Sequence, residues 1–463
     1  MPRWCHVVAP ALFAWHCAVP AQPLPAEIDR LLAEAGLPAD AVTVLVAPAE
    51  GGPPRIVHRV DVAVNPASVA KLATTFAALD LLGPTYAWTT PVWFDGPVRN
   101  GVLEGNLVIK GSGDPKLVIE RLWLLLRRVQ SLGVRGITGD IVLDRSAFVL
   151  PPHDAAAFDN QPLRPYNASP DALLVNYKTV TLTFTPVGTQ ARVRAEPALA
   201  GVQWPATVPL STAAECGDWI TALAADFRTP AQVRFAGAFP RACGEQAWNI
   251  AFPDPAGYTP RAIAALWREM GGELRGQVRD GRAPEGTRPV FEFASPPLAE
   301  VVRDINKFSN NVMAQQVFLT LSLQRQGSAS FEASREVMRS WWQQRFGGDA
   351  PYTENGSGLS RNESFTARQL GQLLQGAWAS PLMPDLAASL PALGLDGTLR
   401  RQRQNVGLAH LKTGSLNEVS GVAGYVHGAQ GRRWVLVAIA NHRRASAVRP
   451  AVQALVEWAA RQP

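Results

Sequence analysis

The sequence predicts an α/β (α+β) protein in which an antiparallel sheet with packed helices is split by a large β-rich insertion. Helices and a few strands are predicted in residues 22–85 and 293–463, whereas short alternating strands dominate the residues between them. The chain has 463 residues, which is more than one hydrophobic core usually serves. Hydrophobic residues at 47% and charged residues at 18% are typical of a folded globular protein, so two or three domains are expected.

Residues 22–85 are predicted to form the first piece of the split domain. Apolar spacing and turn residues predict a helix, two strands around the turn Gly51-Gly52-Pro53-Pro54, and a second helix that stops at Gly83-Pro84. In order, these elements are Ile28–Ala35, Val42–Val46, Arg55–Val60 and a helix that begins near Ser68. A strand pair that leads into a helix predicts a sheet with helices packed on it.

Residues 86–292 are predicted to form the insertion. Its strands are separated by turns rich in proline and glycine, and they are interrupted by helices at Val118–Ser131 and Pro260–Met270. The predicted strands include Gly105–Ile109, Asp140–Leu143, Thr179–Phe184, Ala191–Ala195 and Gln232–Phe235. Residues 177–253, which hold two cysteines, are predicted to be a smaller unit nested within an inserted domain formed by residues 86–176 and 254–292.

Residues 293–463 are predicted to complete the split domain. Helical spacing returns first, and a final segment then predicts three strands and a closing helix. The predicted helices are Leu298–Ile305, Asn311–Arg325, Phe331–Phe346, Thr366–Gln375 and Pro450–Arg461, and the strands are His410–Thr413, Ser420–His427 and Trp434–Asn441.

The N-terminal residues 1–21 are predicted to be a secretory signal peptide. Arg3 precedes an apolar run, and Val19-Pro20-Ala21 forms a small-residue cleavage site before Gln22. The run is short for a membrane anchor and His16 interrupts it, while the bulky residues before Cys17 fit a lipidation signal poorly. The sequence therefore predicts export, and a periplasmic location.

Charge and cysteine content bound the partners and the compartment. The net charge of +6 and the isoelectric point near 9.3 fit a protein that works near an anionic envelope polymer, and they leave peripheral membrane association open. The charge is too diffuse to predict nucleic-acid binding, and the oligomeric state is left open. Removal of the signal peptide leaves only Cys216 and Cys243, which most simply form one disulfide in an oxidising compartment.

Ser68 and Lys71 are a candidate nucleophile and base at the start of a predicted helix. Asn65 can cap that helix and Pro66 suits its first turn. Residues i and i+3 share a helix face, so Ser68 Oγ and Lys71 Nζ can meet beside backbone N–H groups that favour an anion. A short S-x-x-K pattern more often describes a surface serine and lysine, so the prediction depends on partners further along the chain.

Two such partners follow, and together they carry a family resemblance. Ser309-Asn310-Asn311 lies at a helix entry, and Lys412-Thr413-Gly414 lies at a strand end before Ser415. The ordered set S-x-x-K, S-x-N and K-T-G resembles penicillin-binding proteins and class A β-lactamases. The long insertion between the first two motifs is similar to the D-alanyl-D-alanine carboxypeptidase/endopeptidase family, the class C low-molecular-mass penicillin-binding proteins.

Further stretches support the resemblance across nearly the whole mature chain. Gly111-Ser112-Gly113-Asp114-Pro115, the stretch from Asn355 to Arg361, and Asp396-Gly397-Thr398-Leu399-Arg400 all resemble this family. Asn355 departs from it, because aspartate is expected there. The resemblance implies a penicillin-recognising serine transferase fold and a serine D,D-peptidase that acts on peptidoglycan stem peptides, in which β-lactams are covalent inhibitors.

The resemblance also implies roles for the residues of the three motifs. Ser68 would attack the carbonyl carbon between two D-alanines and form an acyl-enzyme, with Lys71 as the base. Ser309 would relay a proton to the leaving amine, and Asn311 would hold the donor amide and orient Lys71. Lys412, Thr413 and Gly414 would receive the terminal carboxylate and the substrate backbone, and the N–H groups of Ser68 and Ser415 would form the oxyanion hole.

Other predictions are less specific. Asp159 and Arg361 are candidates for contacts with the side chain of the stem peptide, although a salt bridge or a loop role would explain either one equally well. The seven histidines are scattered and no H-E-x-x-H pattern occurs, so neither a metal nor a cofactor is predicted. A serine β-lactamase and a non-catalytic cell-wall scaffold are the alternative functions, and carboxypeptidase and D,D-endopeptidase action are not distinguished.

Overall fold

The computed structural model describes residues 24–463, and the predicted signal peptide lies outside the described residues. The helices are α1 (Ala26–Glu34), α2 (Lys71–Leu82), α3 (Ile119–Ser131), α4 (Trp219–Ala222), α5 (Pro255–Glu269), α6 (Leu298–Phe308), α7 (Asn311–Gln326), α8 (Phe331–Phe346), α9 (Ala367–Trp378), α10 (Met383–Ser389) and α11 (Arg449–Arg461). Short 3₁₀ turns connect several of these elements, including the turn Ala67–Ala70 that precedes α2.

The strands fall into one sheet at the two ends of the chain and several sheets in the insertion. They are β1 (Val42–Pro48), β2 (Ile56–His58), β3 (Thr89–Asp95), β4 (Val98–Arg99), β5 (Val102–Leu103), β6 (Asn106–Lys110), β7 (Gly136–Ile137), β8 (Ile141–Asp144), β9 (Thr179–Val187), β10 (Gln190–Glu196), β11 (Thr207–Ser211), β12 (Ala225–Asp226), β13 (Arg234–Phe235), β14 (Phe239–Pro240), β15 (Gln246–Ala251), β16 (Glu273–Leu274), β17 (Val278–Asp280), β18 (Phe291–Ala294), β19 (Ala409–Leu416), β20 (Val419–His427) and β21 (Arg433–Asn441).

The sheet that carries the candidate site draws strands from both ends of the chain. Its order is β19-β20-β21-β1-β2, and every neighbouring pair is antiparallel. Val437 and Ile439 face a core shared with α2 and α6–α9, whereas Leu436 and Ala438 face a second core shared with α1 and α11. Because successive side chains of a strand point to opposite faces, β21 needs apolar residues throughout, which is why it reads as a continuous apolar run.

The insertion contains separate sheets that pack around their own core. One five-stranded sheet has the order β17-β8-β6-β3-β18, a four-stranded sheet has the order β16-β7-β5-β4, and α3 and α5 supply apolar side chains to the same core. A further five-stranded sheet, β14-β11-β10-β9-β15, falls within the predicted nested unit. The predicted disulfide joins Cys216 to Cys243 in that unit. The division of the chain into domains stays a prediction.

Most predicted elements are present, with shifts that local capping explains. The helix predicted from Pro260 begins at Pro255 instead, because the Asp254 carboxylate accepts a hydrogen bond from Gly257 N at 2.9 Å and Pro255 occupies the first turn. The strand predicted at Gln232–Phe235 shortens to β13. Within residues 24–463, no helix combines the length and apolar character that crossing a membrane requires.

Candidate active site

Ser68 lies on a 3₁₀ turn that both ends of the chain hold in place. The Asn65 side chain accepts a hydrogen bond from Ala67 N at 2.8 Å and donates one to Ser360 O at 2.9 Å. The Asn441 side chain accepts from Asn65 N and donates to Asn65 O, both at 2.9 Å. Because Asn441 ends the central strand β21, these bonds fix the serine turn to one end of the sheet.

Lys71 begins α2, and its side-chain nitrogen points at the serine. Its Nζ lies 2.9 Å from Ser68 Oγ, 2.6 Å from Asn311 Oδ1 and 2.5 Å from Ser357 O, and the residue is fully buried. Burial lowers the pKa of Lys71 well below its ordinary value, the charge of Lys412 lowers that pKa further, and Glu363 opposes both effects.

The partners of Lys71 match the hydrogen-bonding pattern of a neutral amine. The Asn311 side-chain oxygen and the Ser357 carbonyl oxygen only accept hydrogen bonds, so they use the two N–H donors of a neutral lysine. In the ammonium form Nζ donates its third hydrogen bond to Ser68 Oγ, whereas in the neutral form, which the lowered pKa of Lys71 favours, the Ser68 hydroxyl can donate to the lone pair of Nζ. The arrangement therefore suits removal of the Ser68 proton by Lys71.

The second motif occupies the junction between α6 and α7. Ser309 adopts a left-handed conformation with φ 56°, which ends α6, and Asn310 caps α7 by accepting a hydrogen bond from Met313 N at 3.1 Å. This sharp reversal places Asn311 against Lys71 and Ser309 against Lys412. Asn311 Nδ2 also donates to Tyr166 O at 3.3 Å, which links the motif to the insertion.

The third motif lies on β19, at the edge of the sheet beside the serine turn. Lys412 is fully buried, and its Nζ donates to Ser309 Oγ at 2.9 Å and to Thr413 O at 2.8 Å. Burial lowers the pKa of Lys412 to about 7. Ser415 is exposed on the same strand, so the structure brings all three predicted motifs into one constellation.

Gly414 contacts the serine turn more closely than any side chain would allow. An added Cβ would lie 2.4 Å from Pro66 O and 3.1 Å from Val69 Cγ2. The sequence predicted that this glycine makes room for substrate. Its close approach to the turn supplies a different reason, because the missing side chain lets β19 pack directly against the backbone that carries Ser68.

Asp159 and Arg361 flank the constellation without touching Ser68 or the lysines by a hydrogen bond. Asp159 accepts hydrogen bonds from Tyr166 Oη at 2.7 Å and from Asn167 Nδ2 at 2.8 Å. The Arg361 guanidinium lies 4.7 Å from the centre of the Phe158 ring. A cleft of about 650 Å³ beside them is lined by Phe158, Tyr166, Gln315, Asn355 and Leu359, among others.

The loop from Glu354 to Ser360 supplies a partner that the sequence did not predict, the carbonyl of Ser357. Asn355 shapes this loop, since its Oδ1 accepts from Ser357 N at 3.0 Å and from Ser357 Oγ at 2.7 Å, while its Nδ2 donates to Leu359 O at 3.0 Å. An aspartate could accept the first two bonds, but when ionised it could not donate the third. The departure at Asn355 therefore preserves the loop that holds Lys71.

Glu363 is a second residue that motif spacing did not reveal. Its side chain is buried, and burial raises the pKa of its carboxyl to about 8, with the charge of Glu354 adding to the shift and Lys71 opposing it. The raised pKa favours the neutral form of this carboxyl. A neutral Glu363 does not stabilise the ammonium form of Lys71. This matters because a general base must be unprotonated before the reaction.

A comparison with known protein families identifies the family of this chain. The model of the D-Ala-D-Ala carboxypeptidase 3 (S13) family matches residues 24–462. The chain belongs to this family. Membership confirms the predicted resemblance to class C low-molecular-mass penicillin-binding proteins, and it makes the chain a serine-type D-Ala-D-Ala carboxypeptidase, as the motifs predicted.

Two known carboxypeptidases are similar in sequence to this chain over most of its length. A D-alanyl-D-alanine carboxypeptidase, DacB, of Haemophilus influenzae is 25% identical over 388 residues, which is 81% of this chain and 80% of that protein. A D-alanyl-D-alanine carboxypeptidase of Actinomadura is 26% identical over 395 residues, covering 79% of this chain and 71% of that protein.

A solved structure confirms the predicted fold class. The crystal structure of penicillin-binding protein 4 from Haemophilus influenzae matches with a TM-score of 0.75 at 23% identity, covering 94% of this chain and 99% of that one. The same protein has been solved in complex with a β-lactam.

Among residues 24–463, no group of His, Cys, Asp and Glu side chains is arranged to hold a metal ion.

Proposed function

We propose that Ser68 is the nucleophile that removes the terminal D-alanine from peptidoglycan stem peptides ending in D-Ala-D-Ala. The observation that carries this proposal is the environment of Lys71, which is buried, has a pKa well below its ordinary value, and places Nζ 2.9 Å from Ser68 Oγ and beside the acceptors Asn311 Oδ1 and Ser357 O. General-base assistance of this kind is typically worth roughly 10²–10⁴ in rate.

In the acylation step, Lys71 Nζ takes the Ser68 proton while Oγ bonds to the carbonyl carbon of the penultimate D-alanine. The oxyanion that forms is held by the backbone N–H groups of Ser68 and Ser415. In other enzymes the loss of one such donor costs about 2.7–4 kcal/mol. The tetrahedral intermediate then collapses and breaks the C–N bond, which leaves an acyl ester on Ser68.

The leaving amine needs a proton, and the Ser309 hydroxyl is suited to deliver it. Ser309 Oγ accepts from Lys412 Nζ at 2.9 Å, so its own proton is free to pass to the amine, and Lys412 can replace that proton. The Lys412 ammonium and the Thr413 hydroxyl receive the terminal carboxylate. A bound carboxylate favours the charged form of Lys412, whose pKa is about 7 in the free enzyme.

In the deacylation step, a water molecule attacks the ester carbonyl and gives a proton through the Ser309 hydroxyl to Lys412, which restores the proton that Lys412 supplied to the leaving amine. The bond between the acyl carbon and Ser68 Oγ breaks, Oγ regains the proton held by Lys71, and the shortened peptide leaves as a carboxylic acid. Asn311 holds the donor amide in both steps, while it keeps Lys71 Nζ in place at 2.6 Å. One constellation therefore serves both half-reactions.

Asp159 and Arg361 extend this proposal toward the stem peptide. Tyr166 links the two parts of the site, since its hydroxyl donates to Asp159 and its carbonyl accepts from Asn311. With Phe158 beneath the Arg361 guanidinium, these groups offer one negative charge, one positive charge and an aromatic surface beside the cleft. We assign them to the side chains of the donor stem.

The sheets support the proposed domain division. The sheet β19-β20-β21-β1-β2 supports a peptidase domain formed by residues 22–85 and 293–463, with an inserted domain at 86–176 and 254–292 and a nested domain at 177–253. A periplasmic location after cleavage of residues 1–21 places the enzyme beside its polymer substrate, and peripheral attachment to the membrane fits the basic net charge.

The test compares the wild type with Ser68→Ala and with a control, Ser131→Ala, which removes an exposed serine hydroxyl from α3. Labelled penicillin adducts are followed by intact mass, and D-alanine release is measured from a pentapeptide and from a crosslinked stem-peptide dimer. We expect a lasting adduct and D-alanine release in the wild type and in Ser131→Ala, and neither in Ser68→Ala.

The other outcomes identify the alternatives. Rapid loss of the adduct with penicillin turnover would mark a serine β-lactamase, and a stable adduct without peptide cleavage would mark a non-catalytic scaffold. Cleavage of the dimer would add D,D-endopeptidase action to the carboxypeptidase activity. Absence of any adduct on the wild type would refute the nucleophile assignment.

A further inference from the structure

The stretch Asp396–Arg400 has no part in the mechanism above, yet it is tied to two of the three motifs. Asp396 Oδ2 accepts from Lys307 Nζ at 2.6 Å, and its Oδ1 accepts from Ala392 N at 2.8 Å. Gly397 packs against the Lys307 backbone so closely that an added Cβ would lie 2.5 Å from Lys307 O. The stretch is therefore held against the end of α6, two residues before Ser309.

From this anchored position, the next residue reaches the third motif. Thr398 Oγ1 lies 2.8 Å from Thr413 Oγ1, and the Thr398 side chain is exposed at the open side of β19. Leu399, which follows it, is buried in the core shared with α1 and α11. The backbone of Thr398 is thus held by its neighbours on both sides, independently of Thr413.

The chemistry of two paired hydroxyls gives the contact a direction when substrate binds. Each threonine hydroxyl has one proton to donate and can accept in return. A carboxylate only accepts hydrogen bonds, so Thr413 must donate its single hydroxyl proton to the substrate. The bond between the two threonines then survives only if Thr398 donates and Thr413 accepts, which turns the Thr413 proton toward the carboxylate.

We propose that Thr398 is a positioning residue that orients the Thr413 hydroxyl toward the terminal carboxylate of the substrate. The inference rests on the proposed function, in which Thr413 binds that carboxylate. Thr398 acts through Thr413 and not on the reacting atoms, so its effect is confined to acyl donors that carry the carboxylate and appears in KM more than in kcat.

The experiment measures the second-order acylation rate constant for benzylpenicillin and for its methyl ester, which lacks the free carboxylate. The variants are Thr398→Val, Thr398→Ser, Thr413→Val and the double valine variant. Thr185→Val is the matched control, because it removes an exposed hydroxyl that donates to Glu245 at 2.8 Å on a strand of the nested unit. Acylation by the ester also reports that each variant is folded.

We expect Thr398→Val to lose about fivefold with the acid, the effect of one hydrogen bond, and to change little with the ester. Thr398→Ser should restore the acid rate, and adding Thr398→Val to Thr413→Val should cost nothing more. With the D-Ala-D-Ala pentapeptide, the same loss should appear as a higher KM at an unchanged kcat.

Two results would overturn the inference while leaving the proposed function intact. The first is an equal loss by Thr398→Val on acid and ester, which would indicate a structural role. The second is a double variant in which the two losses multiply, which would show that Thr398 does not act through Thr413. A wild type that reacts equally with acid and ester would instead refute the carboxylate site of the proposed function, and the inference with it.

Discussion

Gly414→Ala tests the contact on which the geometry of the site depends most directly. The added methyl carbon would lie 2.4 Å from Pro66 O and 3.2 Å from Val69 N. Nonbonded atoms of this kind normally stay about 3.5 Å apart, so β19 and the serine turn must separate by about 1 Å. Both sides are backbone, and neither can move a flexible side chain out of the way.

The expected losses of stability and of acylation rate depend on which structural elements can move. The ladder to β20 holds β19, and the paired amides of Asn65 and Asn441 hold the serine turn. Overpacking of this kind costs about 1–3 kcal/mol of stability. Separation by about 1 Å also moves Ser68 relative to Lys412, and misplacement on this scale can cost on the order of 10² in rate.

The assay is the rate of acylation by labelled penicillin, measured alongside thermal unfolding. Gly136→Ala is the control, because its added Cβ would lie 3.6 Å from the nearest atom, a side-chain carbon of Val102, in a strand of the insertion. We expect Gly414→Ala to lose on the order of 10² in acylation rate while remaining folded. A Gly414→Ala protein that is acylated at the wild-type rate would show that the close approach does not hold the site together.

Two further predictions concern pH. Because burial keeps the pKa of Lys71 well below 10.5, acylation by a penicillin ester should rise through a pKa below that value, and a rise centred at 10.5 would contradict the assignment of the base. Glu363 has a pKa raised from 4.5 to about 8, so the wild type loses stability as pH rises across that interval. The melting temperature of Glu363→Gln relative to the wild type should therefore increase from pH 5 to pH 8. In the control Asp114→Asn the increase should end near pH 6, and a pH-independent difference for Glu363→Gln would refute the buried acid.

The sequence was most informative where chemistry requires fixed residue types at short spacing. Ser68 and Lys71 are three residues apart, and their contact follows from local geometry even though Ser68 lies on a 3₁₀ turn before α2 and not in the predicted helix itself. Lys412-Thr413-Gly414 and Ser309-Asn310-Asn311 were recognisable as motifs, and their order along the chain indicated the family. The apolar strand β21 and the helices around it were also predictable, because burial on both faces leaves a continuous apolar pattern.

Packing partners without a motif were beyond sequence reasoning. The carbonyl of Ser357 could not be predicted as a ligand of Lys71, because any residue has a carbonyl and only the fold brings this one to the amine. Thr398 lies in a stretch that resembles the family, but its contact with Thr413 could not be predicted, because the loop that Lys307 holds brings the two hydroxyls together. Gly414 was predicted to make room for substrate, and its close approach to the serine turn was not predicted. The distance between β19 and that turn is a property of the packed sheet.

The sequence by itself therefore determined the family and indicated the candidate reactive groups, because covalent chemistry needs particular side chains and the chain records them directly. Only the tertiary structure decided the protonation states on which those groups depend. Lys71, Lys412 and Glu363 are all buried, and the loss of water around them shifts each pKa toward the neutral form. Burial is produced jointly by segments far apart in the chain, so no local pattern contains it.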